Sequence, residues 1–361
     1  MADMDINELQ QILSVCLDEI VKLKEENISL RKENSEIRTL ISTIKEAQIK
    51  LYDAYKATAE STVKYLNYLD KALDNIKYES NDPALKSLLI YPQFYSFEYT
   101  IEQILSGKSL CRFGDGEFDV MEGISRHKFQ GANESLGQRL REVFTSNEEN
   151  ILIAIADNYG TVSKYNEDGK HGIRLYMNDE NRRIHAKYVE PDRTYHNAYI
   201  SRPYSLFADN HSDAPKKHFD SLKRIWNDRK IIIIEGCQSR LGYGNDLFSN
   251  AKSINRIEGP AINSYDRYND LFSAAKRHAS NGCLFLLALG ASATVMAYDL
   301  AKEGYQALDV GHLDLEYDWW RNGKENRCAT PYKYSNETFD GDRVQPINDP
   351  TFEAQIIEKI Y

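Results

Sequence analysis

Six short apolar runs lie between residues 109 and 311: SLCRFG (109–114), ILIAIAD (151–157), KIIIIEG (230–236), SINRIEG (253–259), CLFLLALG (283–290) and QALDVG (306–311). Each is strand-sized and continuously apolar, the pattern of a strand covered on both faces. Stretches of helical character at 246–251, 264–279 and 292–303 separate most of the later runs. FEYTIEQILSGKS precedes the first run as a helix closed by Gly107. Residues 160–225 are polar and aromatic-rich and read as helices and loops. The alternation predicts an α/β fold, a doubly wound and mostly parallel sheet with helices on both sides. Ligands of such sheets bind outside the carboxyl ends of the strands.

The first sixty residues follow a different rule. Heptads read from Ile6 place Ile6, Leu13, Ile20, Asn27, Asn34 and Ile41 at a, and Leu9, Cys16, Leu23, Leu30, Ile37, Ile44 and Leu51 at d. That seam predicts an N-terminal α-helical coiled coil. Glu19 with Lys24, Glu26 with Arg31, and Glu33 with Arg38 occupy g and following e positions, which attract between parallel, in-register copies. Asn27 and Asn34 favour a parallel dimer, while Ile41 and Ile44 leave a trimer open. A single helix folded onto its own domain is the alternative. The seam weakens past Gln48; a second helical stretch with Val63, Leu66, Leu69 and Leu73 follows, and Asn81-Asp82-Pro83 marks a break.

Composition removes some partners. A net charge of −10 disfavours nucleic acid, which calls for a basic face. No run approaches the roughly 18 apolar residues of a membrane span, and the N-terminus does not read as a signal peptide. Cys16, Cys111, Cys237, Cys283 and Cys328 are widely spaced, without a CxxC pair, which points to a reducing compartment and a cytoplasmic protein.

Polar clusters follow four of the apolar runs. In RFGDGEF, Asp115 and Glu117 lie two apart, so an extended segment would send both side chains to one side. Adjacent carboxylates repel unless a cation neutralises them, and Mg2+ or Mn2+ suits such oxygen donors. A solvated turn would use the same residues. EGCQSRLGYGNDLF (235–248) reads as a strand-to-helix turn; its GxG at Gly242 and Gly244 is not followed by a third glycine, which disfavours NAD. Arg240 near a helix N-terminus would suit a diphosphate, and Asn245 or Asp246 equally suits helix capping. LGASAT (289–294) offers Ser292 and Thr294 for an anion or ribose pocket, or for tight packing. DVGHLDLEYDWW (309–320) places His312, Asp314 and Glu316 at alternating positions, with Tyr317, Trp319 and Trp320 behind. The four clusters are expected to converge on one crevice.

RFGDGEF, ISRPY around Arg202, EG-x-x-SRLGYGNDLF, LGASATVMAYDLAKEGYQALDVGH and GHLDLEYDW together resemble the bacterial GT-D-type glycosyltransferases over about residues 95–335. Ala291-Ser292 stands where that family leads one to expect Pro-Thr. The resemblance implies a Rossmann-like fold and transfer of a hexose from a nucleotide-diphosphate sugar, such as a UDP-hexose, to a glycan or glycoprotein. It carries Asp115 and Glu117 over as a DxE metal pair for Mn2+ or Mg2+. It places Arg202, Arg240, Asn245 and Asp246 near the donor, where Arg112, Glu235, Ser239, Gly242, Gly244, Ser292 and Thr294 are further candidates. Asp314, Glu316 and His312 are candidates for the general base. The expected organisation is a stalk (1–55), a helical linker (56–94), the transferase domain (95–335) and a tail with a short helix (336–361). The rival readings are an S-adenosylmethionine-dependent methyltransferase and a non-catalytic oligomeric scaffold.

Overall fold

All six apolar runs form strands in the computed structural model, which describes residues 6–79, 90–125, 130–338 and 340–361. They are β2 (Ser109–Phe113), β3 (Ile151–Ile155), β5 (Lys230–Gly236), β6 (Ser253–Gly259), β7 (Leu284–Ala288) and β8 (Gln306–Asp309). With β1 (Gln93–Phe94), β4 (Thr194–Asn197) and β9 (Ile356–Lys359) they build a nine-stranded sheet in the order β1-β4-β3-β2-β8-β7-β5-β6-β9. Each of its pairings is parallel.

The continuous apolar character of the strands follows from burial on both sides. Ile231 and Ile233 pack with Leu284, Leu286 and Leu308 against one helical layer, formed by Phe97–Leu105, Ala214–Trp226 and Leu313–Arg321. Ile232 and Ile234 pack with Phe285 and Leu287 against the other, formed chiefly by Asp115–Met121, Glu134–Phe144, Tyr268–His278 and Ala291–Lys302. Each such isoleucine contributes about 1.5–3 kcal/mol on burial. The chain leaves β2 towards β3 on one side, whereas β8 arrives from β7 on the other. In parallel sheets such a reversal is where ligands bind, here at the carboxyl ends of β2 and β8.

Three strands carry weak sequence signals for physical reasons. β1 and β9 are edge strands, and β9 is only partly buried. β4 reads Thr-Tyr-His-Asn, so its buried polar side chains hide it within the stretch read as helices and loops. A helix expected over 246–251 is absent, and residues 237–251 are turns instead. Left-handed backbone at Arg240, Gly242 and Gly244 (φ 49°, 75° and 74°) breaks helical continuity there.

The N-terminal helix runs unbroken from Ile6 to Glu79, 74 residues. It crosses the expected stalk–linker boundary at 55/56 without interruption; the expected break at Asn81-Asp82-Pro83 lies outside the described residues. The chain divides into two compact units, Met1–Leu73 and Asp74–Tyr361. Among the described residues no helix is long and apolar enough to cross a membrane.

Two buried imidazoles make the body acid-sensitive. His185 stacks on Phe118 at 4.0 Å between the Tyr159 and Tyr176 hydroxyls, and burial lowers its pKa to about 3. Burial, with nearby Lys108, lowers His196 to about 4. Both lie below the usual 6.5, so the unfolded chain takes up these protons first and stability falls as pH drops below about 6.5. At pH 5 each is expected to cost about 2 kcal/mol. Urea titrations should therefore show a loss between pH 7.5 and 5 that is smaller by about 2 kcal/mol in H196Q than in the wild type; equal losses would refute the assignment.

Candidate active site

Arg112 is the penultimate residue of β2, and its guanidinium reaches the adjacent β8. Nε donates to the Asp309 carbonyl at 2.8 Å, and Nη2 lies 2.8 Å from Asp309 Oδ1. The other Asp309 oxygen lies 3.1 Å from Thr294 Oγ1, which is also 2.8 Å from the Arg112 carbonyl. Gly311, at φ 47°, completes this corner by donating its N–H to Asp309 Oδ1. A Cβ there would lie 1.9 Å from Arg112 Nη2, so the arginine occupies the space a side chain would need.

The acidic pair sits just beyond β2, though not in extended backbone. Asp115 begins the helix Asp115–Met121, so Asp115 and Glu117 are separated by about 200° around its axis. Glu117 turns back and accepts the Gly114 N–H at 2.7 Å, closing the helix N-terminus, while Asp115 accepts from Gly116 at 3.0 Å. Burial, then the Asp309 charge and, less strongly, Asp115 raise Glu117 to about 7 against the Gly114 hydrogen bond and Arg112. The same-side argument thus fails, yet the two acids remain electrostatic neighbours with Asp309.

Two more strand ends border this cluster. Asp157 and Asn158 follow β3; Asn197 ends β4 and leads into the turn carrying Tyr199 and Arg202. Tyr199 donates to Asn158 Oδ1 at 2.6 Å, and its N–H is held by Asn197 Oδ1 at 2.9 Å. Burial raises the Tyr199 pKa; Arg202 opposes that rise, whereas Asp115, Asp157 and Glu337 reinforce it. Arg202 pairs with Glu337 through Nη1 at 2.9 Å and Nη2 at 2.5 Å, and with Glu316 through Nε at 3.3 Å. His312 Nδ1 lies 2.9 Å from Glu337.

The other candidates do different work. Glu316 is fully buried and accepts from Tyr204 N, Ser205 N and Ser205 Oγ as well as Arg202. Asp314 is buried beside Lys333, its Oδ2 2.6 Å from Nζ in a charge contact without hydrogen-bond geometry, and Oδ1 accepts from Asn245 at 2.7 Å. Both lie in the helix Leu313–Arg321 rather than in an alternating extended segment. Neither acid is placed to accept a substrate proton, because buried donors and cations already occupy them. His312, with 30% of its side chain exposed, is the acid–base candidate of the three that is open to solvent.

The loop after β5 forms a structural unit of its own. Glu235 pairs with Arg256 at 2.5 Å and accepts the Leu241 N–H at 2.6 Å. Arg240 clamps the Tyr332 and Gln345 carbonyls at 2.9 and 2.8 Å, with no helix N-terminus beside it. Ser239 N–H closes a turn onto the Gly236 carbonyl at 2.8 Å. Gly242 is required because a Cβ would meet Phe248 at 2.6 Å, while Gly244 supplies a second left-handed residue. Asn245 bridges Asp314 and Asp318; Asp246 meets Lys223 and Arg321 on a half-exposed face. Neither caps a helix. Ser292 is buried against Ser264 at 3.1 Å. The expected convergence is therefore partial: the ends of β2 and β8 meet with Thr294 from the third cluster, while Asn245 of the β5 loop reaches the buried Asp314 and Asp318. Asp157, Asp309 and Glu337 were not singled out in the sequence. An acid at the end of an apolar strand would have flagged the first two, but no local pattern marks Glu337.

Gly311→Ala is expected to cost about 1–3 kcal/mol by forcing Arg112 off Asp309. Gly282→Ala shares the left-handed backbone (φ 74°) but meets nothing within 4 Å, so it serves as the comparison. Equal losses for the two in urea denaturation would show that the arginine does not impose the glycine.

A family model described as "Glycosyltransferase GT-D fold" matches residues 110–338. "Probable glycosyl transferase Gly" of Streptococcus gordonii is 34% identical over 283 residues, covering 77% of this chain and 40% of its own. "Glycosyltransferase GlyD" of Streptococcus pneumoniae is 29% identical over 364 residues, covering 98% of this chain and 43% of its own. This chain therefore spans about two-fifths of the length of those curated relatives. The solved structure titled "A New Glycosyltransferase (DUF1792) from Streptococcus sanguinis" superposes with a TM-score of 0.68 at 31% identity, over 75% of this chain and 100% of that one. A second, titled "The highly conserved domain of unknown function 1792 has a distinct glycosyltransferase fold", gives 0.70 at 30% identity, over 75% and 96%. These likenesses leave no support for the methyltransferase reading or for the non-catalytic scaffold. The chain belongs to the glycosyltransferases of the GT-D fold.

Proposed function

We propose that the chain transfers a hexose from a nucleotide-diphosphate sugar, with a UDP-hexose as the expected donor, to a glycan or glycoprotein acceptor. Asp115 and Glu117 would hold the Mn2+ or Mg2+ of that reaction. The observation that carries this reading is the placing of Asp115 and the buried Glu117 near Asp309 at the carboxyl end of a central strand, where burial and those charges push the Glu117 carboxyl up. Such a site holds more negative charge than its own cations neutralise, and its donors are hard oxygens, which suits a divalent ion. Among the described residues no three His, Cys, Asp or Glu side chains form a ready cage. The fit is therefore to an ion that takes one or two carboxylates and leaves its remaining positions to phosphate and water. When bound, such an ion supplies positive charge for the departing diphosphate.

The chain's own residues would do the rest. Arg112, fixed by Asp309, and Arg202, fixed by Glu316 and Glu337, border the cluster and present preorganised positive charge to the leaving group. Arg240 is engaged by two backbone carbonyls and is better placed to fasten the C-terminal segment. His312 is the preferred general base.

The long helix is proposed to assemble copies of the chain as a parallel coiled coil, a dimer in preference to a trimer. Its heptad residues, among them Leu9, Leu13, Ile20, Leu23, Leu30, Ile37, Ile41, Ile44 and Leu51, are 47–72% exposed in the single chain. Clustered active sites would then act on a multivalent acceptor. All five cysteines are free, in keeping with a proposed cytoplasmic location.

A screen of nucleotide sugars for metal-dependent hydrolysis without acceptor identifies the donor. D115N and E117Q should each lower that turnover by about 100-fold or more with the fold intact. Glutamine retains an oxygen for the Gly114 N–H, so full turnover in the double variant would remove the metal assignment. Cys16 occupies a d position, so mild oxidation should cross-link a parallel, in-register dimer through Cys16 and leave C16S uncross-linked. A monomeric chain by light scattering would end the coiled-coil proposal.

A further inference from the structure

We propose that Glu337 is a positioning residue for the acceptor-activating base: it fixes His312 in the tautomer that leaves Nε2 open to the acceptor hydroxyl. This rests on the reading of the site as a sugar transferase and adds a residue from beyond the expected domain end at 335. His312 is the N-cap residue of the helix Leu313–Arg321, but its side chain makes no cap hydrogen bond. It turns to Glu337 instead, with Nδ1 2.9 Å from Oε1. Arg202 grips the same carboxylate with both Nη atoms, and Arg327 approaches Oε2 at 3.1 Å. Burial alone would raise the Glu337 pKa; Arg202 and then His312 outweigh it and hold the carboxyl well below the usual range. Glu316, on the far side of Arg202, is the other acid in this network.

An ionised carboxylate only accepts hydrogen bonds, so Nδ1 must carry the proton and Nε2 keeps its lone pair. Among the described residues, Ser201 Oγ, Asn336 Oδ1 and Thr338 Oγ1, from chain neighbours of Arg202 and Glu337, are buried without hydrogen-bond partners. In the step proposed, the acceptor O–H proton passes to His312 Nε2 as the acceptor oxygen bonds to the sugar's anomeric carbon. The bond from that carbon to the phosphate oxygen breaks, and its electron pair leaves with the nucleoside diphosphate. Glu337 then faces the imidazolium so formed. Attack by an activated acceptor in one displacement inverts the anomeric configuration.

The test combines 15N NMR of the imidazole above its titration with steady-state kinetics on the donor found by the screen. In the wild type His312 should carry its proton on Nδ1. In E337Q the amide NH2 can donate to Nδ1 and move the proton to Nε2. E337Q should lower kcat by about 100- to 10,000-fold, as the wrong tautomer does in other imidazole bases, with the donor KM little changed. H312A should lose a similar amount, and the double variant no more than the worse single one, as expected of residues acting as a unit. E337D, which keeps the charge, should recover part of the rate. An Nε2-protonated wild type, unchanged kcat in E337Q, multiplicative losses in the double variant, or retention of configuration would each overturn the inference. If no nucleotide sugar is turned over, the proposed function fails and this role fails with it. Normal turnover with E337Q unaffected refutes this inference alone.

Discussion

The contact between Arg112 and Asp309 joins the two strands that meet where the sheet reverses its winding. It spans 197 residues of sequence, and both side chains are largely out of solvent. A buried pair of this kind adds little net stability over an apolar substitute, but losing one partner strands the other at a cost of about 3–5 kcal/mol. Its value lies in geometry. It fixes the end of β2, from which Asp115 and Glu117 start, against the end of β8, from which Gly311 and His312 start. Thr294 ties the helix Ala291–Lys302 to the same corner.

Around that corner, charge is compensated unevenly. Arg202 holds both Glu316 and Glu337, Lys333 sits between Asp314 and Asp318, and Arg256 meets Glu235. Each of these acids is held by a cation from another segment, and Asp314, Asp318 and Glu235 act as structure. Burial raises Glu235 and Asp318 despite their cations, and at Glu117 burial and the neighbouring acids outweigh Arg112 and the Gly114 hydrogen bond, so its carboxyl rises as well. An acid kept in such surroundings is out of balance in the isolated chain, as groups at functional sites often are. The C-terminal segment belongs to this arrangement rather than trailing from it. It contributes Lys333 to the buried pair with Asp314 and Asp318, Glu337 to His312 and Arg202, and β9 to the sheet edge.

The long helix follows a separate physical logic. Its apolar heptad residues have no cover within their own unit, and so long an apolar stripe is unfavourable in water unless another helix covers it. The catalytic body, by contrast, closes both faces of its sheet with its own helices.

The sequence by itself determined the parallel α/β body and the long N-terminal helix. Both are written in local periodicity: runs apolar enough to be covered on two faces, and a seam repeating every seven residues. It also placed the DGE segment and His312 at strand ends, since apolar runs show where strands stop. Only the tertiary structure decided what those side chains do. Glu117 caps a helix that begins at Asp115, where an extended segment was expected, and Asp314 and Glu316 turn inward onto Lys333 and Arg202. Edge strand β9 and polar β4 escaped notice because burial there is partial or is filled by hydrogen-bonded side chains. Glu337 was illegible for the same reason that it matters. An ion pair depends on which charges the fold brings together, and no spacing along the chain encodes a meeting across more than a hundred residues.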